Sequence, residues 1–357
     1  MLKYSQMKIN LSSQDLQKVY HLLDNKEINI SVAELLLSTY EEVDYFKGAK
    51  NASDFFNKMV SFFGVPPSEK EELQILDKWI KSSIFPLKVH SFLENPYFSH
   101  IKPMEKKVGK YALEYLSYKP YQPFPLDDIQ IDKNDYYIER TPIGYFEEEL
   151  KYLSLSYEGI TWMCITPNEI NTMQPHIDKA KGRVLVLGLG LGYYPYMISL
   201  KEVVKEITII ELDQNIINIF KENILPGFEH KDKIRIIKGD AKEYIKDIND
   251  FDTVFIDLWH DPEDGLPLYL YFKQYEKKSK AKFQYWLETS LIALYRRYLL
   301  MLIEESLNGY TDKDYQKANS ELDRFINNLY FKTKNITLNK WDDVNRFLSD
   351  ESILRLI

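Results

Sequence analysis

Apolar residues along this chain recur at helical spacing near both ends and in short strand-like runs between. In the first hundred residues Ala33, Leu36, Leu37, Tyr40 and Val43 form one helical stripe, and Leu73, Leu76, Trp79 and Ile80 form another. Each follows a Ser-x-x-Glu pattern, Ser31 with Glu34 and Ser68 with Glu71, in which hydroxyl and carboxylate satisfy amide donors left open at a helix start. Gly64 predicts the end of a helix over 55–63. Segment 118–125 carries Pro120, Pro123 and Pro125, which block helix and sheet interior alike and predict a linker. Beyond it, 135–139 and 151–157 read as strands, with a turn at Glu158-Gly159 into a returning strand over 160–165. Thr166 and Glu169 make a further capping pattern with Pro167 at the first helical position, predicting a helix to about Ala180.

From Gly182 the pattern alternates. Short, almost wholly apolar runs at 184–187, 207–210, 234–237, 254–256 and 283–287 are separated by amphipathic segments, such as the one carrying Ile216, Ile217 and Phe220 and another over 241–248. Strands that are apolar on both faces and alternate with helices predict a parallel sheet covered on both sides. After 287 the helical period returns through Leu291, Leu294, Tyr295, Tyr298, Leu302 and Ile303 to Gly309. A further helix is expected from Thr311 through Leu322, Phe325 and Leu329.

Composition narrows the class. The 357 residues are 45% hydrophobic and 28% charged, as in a globular protein with a full core. Lys and Arg number 46 against 54 Asp and Glu, a net charge of −8, which disfavours non-specific nucleic-acid binding. The apolar stretch 184–200 is broken by three glycines and Pro195, too short for a membrane span, and the N-terminus lacks a signal-type apolar run. The expected location is cytoplasmic, with no membrane partner. Cys164, the single cysteine, reads as a buried thiol.

Candidate chemistry collects where the predicted strands end. The first runs into Gly188-Leu-Gly190-Leu-Gly192, a turn that lets a ligand approach the backbone. A dinucleotide fingerprint asks for glycine at the position of Tyr193, so the spacing favours a ligand without pyrophosphate. The second strand ends in Glu211-Leu-Asp213. Glu211 is assigned to a ribose diol, because a carboxylate accepts both hydroxyl hydrogen bonds, and Asp213 to a helix cap. The third ends in Asp240-Ala241, where the acid either caps a helix or accepts from an adenine amino group. The fourth delivers Asp257, Trp259, His260, Asp261 and Asp264 to the edge where open α/β sheets bind ligands.

With these motifs in place, residues 182–257 resemble class I S-adenosylmethionine-dependent methyltransferases, and within them the spermidine synthase-like branch. The hairpin around 157–165 resembles that branch's small β-domain. The resemblance implies a Rossmann-like parallel sheet at 167–290 behind a small β-hairpin element 126–166, while the helical periodicity outside it predicts a helical region 1–118 and a helical C-terminal region 291–357. It also implies S-adenosyl-L-methionine as cofactor, held by Gly188, Gly190, Gly192, Glu211, Asp240, Ala241 and Asp257, and a homodimer. Catalytic work falls to Asp257 or Asp261, with His260 as an alternative because imidazole is the side chain suited to proton transfer near neutrality. Trp259 would wall the acceptor, face the sulfonium, or simply pack.

Two departures from that branch rank the functions. Its loop carries an acid for the amine of a decarboxylated donor, and that slot here is Leu191. Its two paired acids stand three apart, whereas Asp257 and Asp261 stand four apart. Methyl transfer to a small or protein-borne acceptor is therefore expected first, aminopropyl transfer second, and an inactive nucleoside-binding module third. Asp257, Asp261 and Asp264 are also suitable hard ligands for a divalent metal, but no second acidic pair points at them, and no metal is expected.

Overall fold

The computed structural model describes residues 7–39, 48–62, 84–248, 250–309 and 321–357, with isolated positions between 63 and 83. Strand β1 (Lys8–Ile9) precedes a long helix, Ser13–Thr39, and a shorter one, Ala52–Phe62. Next come β2 (Ile84–Leu87), two short helices (Val89–Leu93 and Pro96–His100), β3 (Lys106–Val108), β4 (Tyr111–Tyr118), β5 (Phe124–Pro125), β6 (Gln130–Asp132), β7 (Ile138–Arg140), β8 (Ile143–Phe146), β9 (Leu150–Tyr157) and β10 (Ile160–Cys164). These strands form a four-stranded antiparallel sheet in the order β10-β9-β4-β3, a three-stranded sheet β2-β8-β5 and the hairpin β6-β7.

The nucleus of the chain is a parallel sheet of β11 (Gly182–Leu187), β12 (Val204–Glu211), β13 (Ile234–Lys238), β14 (Thr253–Ile256) and β15 (Lys282–Tyr285). Its order is β13-β12-β11-β14-β15, so the chain winds outward in one direction from β11, then returns to β14 and winds in the other. This is the Rossmann-like arrangement, and the reversal opens a crevice at the carboxyl ends of β11 and β14. Val184, Leu185, Val186 and Leu187 are all buried, as are Val254, Phe255 and Ile256, because helices cover both faces. Tyr194 stacks on Phe255 with ring centroids 3.9 Å apart, seating the helix Tyr193–Ser199 on one face. The helices Pro262–Glu276 and Glu288–Asn308 follow β14 and β15, and the latter closes on Gly309 in a left-handed conformation. After the helix Glu321–Thr333, β16 (Thr337–Leu338) pairs in parallel with β1.

Several expectations change. The region 1–118 is not purely helical, since β2, β3 and β4 lie within it, and β4 pairs with β9 along its whole length. The small β element therefore reaches back to Lys106. The proline-rich segment is no linker: Phe124 is buried and stacks on Tyr118 at 4.3 Å, while β5 pairs with β8. Proline is tolerated there because β5 lies at the edge of its sheet. Ser31 starts no helix, because Ser13–Thr39 runs through it. The strand expected at 135–139 is shorter and later, since residues 133–137 form turns before β7. The helix expected over 241–248 ends at Tyr244 and tightens into a 3₁₀ turn. The cap pairing of Ser68 with Glu71 and the helix start at Thr311 fall outside the described residues. By contrast, Glu158 and Gly159 both take positive φ in the turn between β9 and β10, as expected.

The corrected reading of 118–125 has a measurable consequence. Phe124→Ala should cost about 3–5 kcal/mol in urea unfolding, the value for a buried aromatic, whereas a true linker position would show almost none.

Candidate active site

The glycine loop is shaped by close approaches that leave no room for side chains. Gly188 has φ +98°, and a Cβ there would run into the Asp257 carbonyl oxygen at the end of β14. Gly192 takes φ +76° as the cap of the helix Tyr193–Ser199, and its Cβ would collide with the Phe220 ring. Gly190 differs: its φ is +54°, and a Cβ there would meet open space. That open face is where a ligand can lie against the backbone. Leu191 is only 3% exposed, so its side chain belongs to the core. The loop is braced from the N-terminal region by Tyr97, whose hydroxyl donates to the Leu191 carbonyl at 2.6 Å. Asn95 donates to the Tyr193 hydroxyl at 2.9 Å.

The strand-end acids divide between two kinds of environment. Glu211 accepts from the Leu189 amide at 3.2 Å and from the Asp213 amide at 2.8 Å, one bond to each oxygen. Each oxygen keeps acceptor capacity for a hydroxyl. Burial raises the Glu211 pKa, and the amides of Asp213, Leu189 and Leu212 pull against it. Asp213 caps the helix Gln214–Asn223, accepting from the Asn215 amide at 2.7 Å, and also accepts from the Tyr111 hydroxyl of β4. Its burial would raise the carboxyl, but these hydrogen bonds outweigh it and hold the pKa below the usual range. Asp240 caps the helix Ala241–Tyr244, with the Lys242 amide at 2.7 Å, and Ala241 is buried beside it.

After β14, Asp261 and Asp264 form a reciprocal capping box at the start of the helix Pro262–Glu276. Asp261 accepts from the Asp264 amide at 3.0 Å, and Asp264 accepts from the amides of Asp261 and His260 at 3.0 Å each. The His260 ring is 3.0 Å from Asp264 through Nδ1, and both side chains are largely exposed. Trp259 is 5% exposed, and a Cβ at Gly265 would lie 2.7 Å from its ring. It packs; of the three roles expected for it, packing is the one its burial matches.

Asp257 stands apart from these capping acids. Its amide donates to the Leu187 carbonyl at 3.0 Å, fixing its backbone to the end of β11. Its carboxyl, by contrast, forms no hydrogen bond among the described residues. Burial pushes its pKa up to about 7, against a small pull from His260. Its charge is felt by Glu169, in the first turn of the helix Pro167–Lys179. The capping pattern predicted there is half realised: Thr166 Oγ1 accepts from the Glu169 amide at 3.5 Å, but the Glu169 carboxylate does not return to the cap. It is desolvated instead, and burial first and the charge of Asp257 second raise its pKa well above the carboxylate range. Burial and then Glu169 likewise raise the Cys164 thiol to about 12, keeping it protonated.

The crevice thus holds Gly188, Gly190, Gly192, Glu211 and Asp257 together, with Asp240 and Ala241 at the end of the neighbouring strand. Asp261 and His260 are committed to capping contacts at the surface. Glu169 was not singled out from sequence as a site residue. Its only sequence signal was an acid at the third helical position, which a capping box explains equally well.

Residues 164–283 match the family model of the spermine/spermidine synthase domain, a segment running from Cys164 to the start of β15. The resemblance read at 182–257 lies inside it. No curated protein matches the chain in sequence. Among solved structures, the spermidine synthase of Thermotoga maritima is 18% identical, with a TM-score of 0.31; the alignment covers 42% of this chain and 58% of that one. A spermidine synthase in complex with the transition-state analogue AdoDATO is 19% identical, covering 42% and 60%, with a TM-score of 0.32. A Klebsiella pneumoniae protein described as an O-methyltransferase is 22% identical, covering 26% and 43%, with a TM-score of 0.21. This chain therefore spans less than two thirds of each of these proteins.

Two unpaired, desolvated carboxyls set the pH dependence of folding. A carboxyl whose folded-state pKa is raised binds its proton more tightly in the native state than in the unfolded chain. Stability is then greatest below the unfolded value near 4 and falls as pH rises through about 7. The melting temperature should accordingly decline between pH 5 and 8. Asp257→Asn should flatten that decline and be the more stable protein at pH 8, by on the order of 1–3 kcal/mol. A melting series across that range in both proteins checks it.

Proposed function

We propose that this chain is a transferase of the spermidine synthase-like kind, moving an alkyl group from a sulfonium nucleoside of the S-adenosylmethionine class to an amine. The observation that carries the reading is Asp257, a desolvated carboxyl at the end of β14 whose backbone lies against Gly188 of the glycine loop, supported by the domain match over 164–283. The residues present fit such a nucleoside. The open face at Gly190 accommodates a ligand against the backbone, and the Glu211 carboxylate keeps acceptor capacity for ribose hydroxyls. The free oxygen of Asp240 is available to an adenine amino group at the end of β13.

A bound sulfonium nucleoside supplies an already activated carbon, which bonds the acceptor nitrogen as the C–S electron pair passes to sulfur. The chain's own part is to align that nitrogen and take its proton. Asp257 is the base: it is held against Leu187, stripped of other hydrogen-bond partners, and pushed to about 7, where a carboxylate accepts a proton effectively at neutral pH. Asp261 and His260 are left with structural tasks.

Methyl transfer is the second reading, favoured by Leu191, since the buried leucine leaves the loop without an acid. The two separate by product. Given decarboxylated S-adenosylmethionine and a panel of amines, the enzyme should release methylthioadenosine, detected by chromatography. Release of S-adenosylhomocysteine from S-adenosylmethionine, with no turnover of the decarboxylated donor, would establish methyl transfer instead. Asp257→Asn should lower kcat by about 10²–10⁴-fold while nucleoside binding persists. Glu211→Ala should abolish the rise in melting temperature that methylthioadenosine produces, with the protein still folded.

A further inference from the structure

We infer that Tyr97 is a positioning residue for the nucleoside, its hydroxyl holding one peptide of the glycine loop in the orientation that leaves the face at Gly190 open to a ligand. This rests on the nucleoside reading above and deepens it, by naming what sets the shape of the loop. The peptide is the one that joins Leu191 to Gly192. Its carbonyl accepts from the Tyr97 hydroxyl at 2.6 Å, and its amide donates to the Leu189 carbonyl at 3.1 Å. With both polar groups engaged, the plane has a fixed orientation. The glycines on either side of Leu191 have φ of +54° and +76°, and glycine by itself chooses no single path for the chain. The choice falls to Tyr97.

The residue is held firmly enough for that task. Tyr97 is fully buried, and its ring meets those of Tyr193 and Tyr196 edge-on at 5.5 Å each, both in the helix that the loop opens. Asn95 ties the start of the helix Pro96–His100 to the same place. Its Oδ1 accepts from the Tyr97 amide at 3.0 Å, while its Nδ2 donates to the Tyr193 hydroxyl at 2.9 Å. On the other side Ile101 and the His100 carbonyl lie so close to Gly227 that a Cβ there would come within 2.8 Å and 3.0 Å of them. His100 Nε2 is also 3.2 Å from Glu229. The short helix is thus wedged between the glycine loop and the turn that follows the helix Gln214–Asn223. Without the hydroxyl the buried Leu191 carbonyl is unsatisfied, and the loop finds it another partner by rotating the peptide, which shifts the face at Gly190. Residues 95–101 lie outside the matched segment 164–283, so the shape of the loop depends on a part of the chain that the domain match does not contain.

Tyr97→Phe removes the hydroxyl and keeps the ring. Tyr196→Phe is its control, because the Tyr196 hydroxyl donates to the Pro96 carbonyl at 3.3 Å in the same interface without touching the loop peptide. Titration calorimetry of the full chain with methylthioadenosine should show Tyr97→Phe binding about tenfold more weakly than the wild type, and Tyr196→Phe within about twofold of it. Hydrogen exchange in the unliganded proteins should be faster at the Gly192 amide in Tyr97→Phe alone. Amides of β11 and β12 that exchange as in the wild type show that the variant is folded. Equal affinity in Tyr97→Phe and the wild type, an equal loss in both variants, or unchanged exchange at Gly192 overturns the positioning role and leaves the nucleoside reading standing. Failure of the wild type to bind methylthioadenosine, S-adenosylmethionine and its decarboxylated form overturns both.

Discussion

The site depends on how closely two strand ends approach each other. Gly188 at the end of β11 and Asp257 at the end of β14 are so near that any side chain at 188 would strike the Asp257 carbonyl. The Asp257 amide is spent on the Leu187 carbonyl across the same gap. That contact places an acid at the reversal of strand order, the one point on the sheet edge where neighbouring crossover helices diverge and leave a crevice. Open space at Gly190 and the buried side chain of Leu191 follow from the same turn, because the loop must leave β11 without crossing Asp257. A change in the spacing of these two strands would move the acid, the loop and the crevice together.

The placement has a thermodynamic consequence. Along this edge Asp213, Asp240 and Asp261 all find backbone amides to satisfy, and as helix caps they contribute to stability. Asp257 and Glu169 do not, and their desolvation works against folding when they are charged. Acids that stabilise and acids that destabilise therefore alternate within one strip of the structure. The second kind is the one a packed core has no reason to keep, and strained or unsatisfied groups of this sort concentrate where a ligand completes them.

The parallel sheet was legible because its strands are apolar on both faces, and no other common architecture asks for that pattern with helices between. The glycine turn at the end of β11 was legible because positive φ and close backbone approach depend on local chain geometry, which spacing records. The misreadings share a different origin. Ser31 with Glu34 is a sound capping pattern, but the helix Ser13–Thr39 carries through it, so tertiary and neighbouring sequence outweigh the local preference. The prolines at 120–125 do break helices, yet nothing local announces that Phe124 will be drawn beneath Tyr118 and β5 onto a sheet edge. Glu169 is the sharpest case. Its sequence context describes a helix start correctly, but burial and then the charge of the distant Asp257, brought there by the sheet, raise its pKa. Pairings across separated elements leave no mark on spacing.

The flanking regions bear on the same site from two sides. Tyr97 and Asn95 hold the glycine loop from below the short helix Pro96–His100, and Tyr111 holds Asp213 from the antiparallel sheet. Asp213 in turn gives its amide to Glu211, so the position of Glu211 is linked to β4 through two hydrogen bonds. Tyr111 also stacks on Trp162 of β10 at 5.9 Å, the strand whose end carries Cys164 towards Glu169. The antiparallel sheet therefore reaches Asp213 through Tyr111 and Glu169 through Cys164. The alkyl transfer proposed above would draw on such a connection, since its rate depends on holding donor carbon and acceptor nitrogen in line. On that proposal the antiparallel sheet would help to position the reacting groups, with β10 as the strand nearest to Glu169.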